Sequence, residues 1–174
     1  VPFEFIDNVM DVISKTPQHT YQLLTKRAER MAEYFSSRLI PQNVWLGVTV
    51  EDTLTKYRID FLRNLSAQVK FLSCEPLLCD LGELDLEGVD WIIVGGESGP
   101  IARQMKEEWV LNIKRQAEQK SIPFFFKKWG TWSKEGEKGN KKKNGKLLQG
   151  EVIQQMPKVV HENFRNKDQT KFWE

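Results

Sequence analysis

The chain of 174 residues predicts an α/β fold, a parallel sheet whose strands alternate with helices. Three observations predict it. Five short runs are almost continuously apolar, as strands buried on both faces are. Apolar residues recur at helical spacing between most of these runs. Each run ends in a polar or charged tip, where a buried strand leaves its core.

The elements follow in order. Phe5, Ile6, Val9, Met10 and Ile13 mark one face of a first helix, and Pro17 stops it. Thr20–Leu24 is a short strand that ends at Thr25, Lys26 and Arg27, and a helix with Ala28, Met31 and Phe35 inward follows. Asn43–Val50 is a strand ending at Glu51 and Asp52, and Leu54, Phe61, Leu62 and Leu65 mark the next helical face. Val69–Cys74 is a strand ending at Glu75 and Pro76. No strong helix follows it, because Leu77–Gly88 is short, acidic and broken by Gly82. Trp91–Val94 runs into Gly95-Gly96-Glu97-Ser98-Gly99, and Trp109, Val110, Ile113 and Ala117 face inward from a further helix. Pro123–Phe126 is the last strand, with Lys127, Lys128 and Trp129 at its end. Five strands are too few to close an eight-stranded barrel, so an open sheet or an incomplete barrel remains.

Residues 1–132 form this unit, and residues 133–174 differ from it in charge. The first part carries 16 basic and 18 acidic side chains, a net −2, whereas the second carries 10 and 6, a net +4. Most of that excess lies in Ser133–Lys146, which has six lysines, recurring glycine and no apolar residue, and reads as a mobile surface loop. Lys146–Ile153, with turn signals at Asn144-Gly145 and Gln149-Gly150, predicts a small hairpin. The last fifteen residues have weak periodicity and are expected to fray. The total charge of only +2 gives no global drive toward nucleic acid. No apolar run reaches the length of a membrane span, and the sparse cysteines suit a reducing, cytoplasmic setting.

Ligands of parallel α/β folds sit at the carboxyl ends of the strands, where loops converge. The candidate ligand-binding residues are therefore Lys26, Arg27, Glu51, Glu75, Gly95, Gly96, Glu97, Ser98 and Lys127. Asp52 needs no ligand to explain it, since helix capping suffices. Lys26 and Arg27 also precede a helix, but with the wrong sign for its dipole, which points to an anion there. Gly95–Gly99 lets the backbone approach a ligand closely, with Glu97 placed to orient a hydroxyl or amine. It has neither dinucleotide-binding nor P-loop spacing. Cys74 and Cys79, with His19 and His161 far off in sequence, assemble no metal site, and a buried thiol is the expected state of Cys74. No serine lies in a nucleophile elbow. No catalytic residue is assigned.

Five segments together, Leu24–Arg27, Asn43–Glu51, Ser73–Leu78, Trp91–Gly99 and Pro123–Gly130, resemble a phage-associated family of unknown function over roughly residues 1–157. Complete members carry an N-terminal cysteine cluster and look like distant relatives of radical S-adenosylmethionine enzymes. The resemblance implies an incomplete, TIM-barrel-like (β/α) barrel. For a complete protein it also implies a [4Fe–4S] cluster and S-adenosylmethionine at the strand tips. This chain resembles the C-terminal portion, without the cysteine cluster. Cys74 stands where alanine is common in the family, and Lys128 stands where glutamine is common.

Two functions follow as expectations. In the first, the chain is part of such an enzyme: Lys26, Arg27 and Lys127 bind an anionic group, and Glu75 and Glu97 bind a polar one. In the second, it is a non-catalytic nucleic-acid-binding or protein-interaction module, with Lys141, Lys142 and Lys143 contacting phosphates beside Trp129 and Trp132.

Overall fold

The computed structural model describes residues 1–139 and 144–158. Five strands, β1 (Tyr21–Thr25), β2 (Val44–Thr49), β3 (Val69–Cys74), β4 (Trp91–Gly95) and β5 (Phe124–Lys128), form one parallel sheet in the order of the chain. The helices are α1 (Phe3–Ser14), α2 (Ala28–Phe35), α3 (Arg58–Arg63) and α4 (Glu107–Gln119), with a single 3₁₀ turn at Thr53–Thr55. The link from β3 to β4 is irregular, as its acidic, glycine-broken sequence predicts. The sheet is open: β1 and β5 are its two edges.

Sequential strand order explains how the faces are covered. Right-handed crossovers between neighbouring parallel strands all land on the same side of the sheet. Val44, Leu46, Val48, Leu72, Cys74, Ile92, Val94, Phe124 and Phe126 accordingly pack with Ile13, Ala28, Tyr34, Leu62, Val110, Ile113 and Ala117 of the helices. Among the described residues no helix covers the opposite face. It holds a separate cluster of Trp45, Val69, Phe71 and Trp91, flanked by Ile93 and Phe125. Trp45 and Trp91 meet edge to face at 6.0 Å, and so do Trp91 and Phe125 at 5.8 Å. Gly47 is required here, because a Cβ would lie 2.3 Å from the Phe71 ring.

Two sequence expectations change. β1 is half exposed, with Leu24 at 51%, because an edge strand has a neighbour on one side only. Leu54 is 83% exposed, because the turn at Thr53–Thr55 precedes α3 and is not part of a continuous helix.

The β5 edge is covered by the chain itself. Phe126 N–H donates to Ile153 O at 2.7 Å, Gln155 N–H to Phe124 O at 3.1 Å, and the Trp91 indole to Gln155 O at 2.9 Å. The preceding hairpin pairs Leu147–Leu148 (β6) with Glu151–Val152 (β7), and Gln149 and Gly150 turn it with positive φ. Ser133–Gly139 forms a tight turn closed by a Trp132–Lys138 bridge. Lys141, Lys142 and Lys143, like the last fifteen residues, lie outside the described residues.

Candidate ligand site at the strand ends

Side-chain alternation along a strand decides which residues reach the helix-free face. Trp45, Phe71, Trp91 and Phe125 lie on that face. Continuing the alternation past each strand end brings Glu51, Glu75, Glu97 and Lys127 to the same side, and the β1–β2 register adds Lys26. Thr49 and Ser73 are cross-strand partners, both buried, where the face turns from aromatic to polar.

Three carboxylates organise the charges. Glu51, only 7% exposed, is held by Lys26 on one oxygen and by Arg58 on the other at 2.8 Å. Arg58 also donates to Thr49 O at 2.8 Å, which ties the first residue of α3 to the end of β2. Glu75 receives Lys127 at 2.8 Å and Lys128 at 3.2 Å, one lysine on each oxygen. Consecutive strand residues normally point to opposite faces. A register shift pairs Val94 with Phe126 but Gly95 with Lys128, so both lysines turn toward one carboxylate. Glu97 accepts from Arg103 Nη2 at 2.8 Å, from Nε at 2.9 Å, and from the Arg103 backbone N–H at 2.8 Å.

The groups share one region. Leu78 N–H donates to Glu51 O and Leu77 N–H to Gly95 O, so the segment after Glu75 joins the ends of β2 and β4. The Glu75–Pro76 peptide is cis. The Arg103 guanidinium and backbone hold Glu97 down at a pKa of about 2, with Lys26 adding to the effect. Arg103 is raised by Glu97, and Glu51 contributes. Cys74 lies beneath, fully buried on the helix side, and burial pushes its thiol up to about 12.

The glycines of this tip have assigned partners. Gly95 leaves room for Glu75, whose Cδ would sit 3.2 Å from an added Cβ. Gly96 crosses Gly130 backbone to backbone: a Cβ on Gly96 would lie 1.9 Å from Trp129 O, and one on Gly130 2.2 Å from Glu97 O. Gly96 N–H already donates to Lys128 O at 2.9 Å. Ser98 is exposed at the rim. Asp52 caps the 3₁₀ turn, accepting from Thr55 N–H at 3.0 Å.

Arg27 is placed elsewhere. It lines an apolar groove of about 450 Å³ between α1, β1 and α2, together with Phe5, Val9 and Leu24. Trp129 is 2% exposed, with its indole N–H on Leu147 O, so it presents no stacking face to solvent. Arg58 and Arg103 are site residues that sequence reading missed. Their signal was proximity: seven residues after Glu51 and six after Glu97.

Among the described residues, no group of three or more His, Cys, Asp or Glu side chains could hold a metal ion. No described helix is long and apolar enough to cross a membrane.

These features define an α/β protein with a singly wound parallel sheet and a charged cluster at its strand ends. Its chain belongs to the family described as protein of unknown function DUF5131, whose model matches residues 1–157. No curated protein and no solved structure matches it.

Proposed function

We propose that the chain is the C-terminal part of a phage-type, radical-S-adenosylmethionine-like enzyme whose strand ends bind a polar or anionic small molecule. One observation carries the reading: five successive parallel strands direct their terminal charged side chains to the helix-free face, at the carboxyl end where such folds bind ligands. The aromatic cluster below supplies a dry floor, which strengthens the electrostatics above it.

The chain's own residues do not fit an iron–sulfur cluster. It has two cysteines, and a cubane cluster takes three or four. Cys74 is a buried thiol, not a thiolate, and it faces away from the strand-end cluster into the helix-side core. In this reading the cluster belongs to residues outside this chain, and the site here positions a ligand. The open edge of β1, beside the apolar groove, suits a further strand and helix.

The test is anaerobic purification of the full-length gene product. Iron–sulfur absorbance with reductive cleavage of S-adenosylmethionine is expected. A product with neither overturns the enzymatic reading. The nucleic-acid alternative rests on Lys141–Lys143, and no observation in the described residues favours it.

A further inference from the structure

We infer that Lys127 and Lys128 form an anion subsite that takes a phosphomonoester dianion, the phosphoryl group of a small-molecule ligand. The inference deepens the strand-end reading and rests on it.

The arrangement is built by the backbone. Without the register shift at Val94–Gly95, one lysine would point to the helix side; with it, both ammonium groups converge on Glu75 above Gly95. Bulges of this kind re-aim side chains beside sites. Each oxygen of Glu51, Glu75 and Glu97 already lies against a cation. The ammonium groups of Lys127 and Lys128 have N–H donors beyond their Glu75 contacts, which suits a ligand that brings acceptors. Five cations, Lys26, Arg58, Arg103, Lys127 and Lys128, face three carboxylates, an excess of two positive charges. A phosphomonoester carries nearly that charge at neutral pH, with three acceptor oxygens.

Lys127 is the accessible arm and Lys128 the sheltered one, with side chains 52% and 27% exposed. An ammonium has three donors; Lys127 gives one to Glu75 in a hydrogen bond, and Lys128 is held to the same carboxylate as an ion pair. The phosphoryl group thus meets a pair of lysines already held on one carboxylate. Glu75 plays two opposed parts: it aligns the lysines, and its charge competes with the ligand.

That opposition gives the test. Binding of inorganic phosphate and of glycerol phosphate is measured by calorimetry at low, constant ionic strength, on wild type, E75Q, K127M, the K127M/K128M double variant and K134M. Both probes are expected to bind wild type, the ester more tightly if the site reads the molecule beyond its phosphoryl group. Affinity should fall at least tenfold in the double variant and less in K127M, stay unchanged in K134M, and rise severalfold in E75Q. Circular dichroism of K127M, which removes only the exposed arm, controls for folding. Weaker binding in E75Q would mean that Glu75 and the lysines act only as a structural clamp, and it overturns the proposal. Absence of binding to wild type also overturns it, and leaves the enzymatic reading to the S-adenosylmethionine experiment. Equal competition by an oligonucleotide lacking terminal phosphate overturns it in favour of phosphodiester binding.

Discussion

Glu51 and Glu97 show how differently two carboxylates of one cluster depend on their arginines. The Arg58 and Glu51 side chains are 12% and 10% exposed, whereas Lys26 is 59% exposed. Removing one partner of a buried pair typically costs ~3–5 kcal/mol, and an exposed contact ~0–1 kcal/mol. R58M should therefore lower unfolding free energy in urea by about 3 kcal/mol, and K26M by less than about 1 kcal/mol. Glu97 answers to pH instead. Its folded pKa of about 2 lies below the ordinary 4.5, so the Arg103 contact stabilises the fold above pH 4.5 and is lost as pH falls toward 2. Melting temperature should drop across that window by less in E97Q than in wild type. At Cys74, burial and the raised thiol pKa predict that iodoacetamide at pH 8 labels half-buried Cys79 alone in native protein, and both cysteines in urea. Mass spectrometry of the labelled peptides reads this directly.

At the scale of elements, β2 carries most of the packing constraint. All six of its residues are buried, and Gly47 lets the Phe71 ring of β3 lie against the backbone. G47A forces the ring to move, and overpacking of this kind costs ~1–3 kcal/mol. F71L at the same site leaves space, so G47A/F71L should be less destabilised than the two single changes predict together. A double-mutant cycle in denaturant measures the difference. β1 is the opposite case. Its sequence reads as an apolar run like the others, yet its alternate residues are exposed, and only the sheet order shows it to be an edge. The periodicity of the first helix likewise marked Phe5 and Val9 as inward, but they line an open groove, and Phe5 is 59% exposed.

For the whole molecule, the two sheet edges are treated unequally. Ile153–Gln155 covers β5, whereas no described residue pairs with the outer edge of β1, and apolar side chains line the groove beside it. Exposed apolar surface beside an open edge promotes association. The isolated chain should thus self-associate with rising concentration, and F5E/L24E should shift its elution on gel filtration toward the monomer with little change in melting temperature.

The sequence by itself determined the strands, the four helices in outline, the irregular β3–β4 link and the charged tips. These are local properties: apolar continuity, helical period and the point at which polarity returns. Alternation within each run even assigns Lys26, Glu51, Glu75, Glu97 and Lys127 to one face once the strand order is known. Only the tertiary structure decided which charges meet. Arg58 reaches Glu51 because α3 folds back over the end of β2, and Lys128 reaches Glu75 because a bulge reverses its side. Gly96 and Gly130 were legible as flexible positions, but not as the crossing of two backbones. Such contacts depend on where separate elements are placed, and no local pattern encodes that placement.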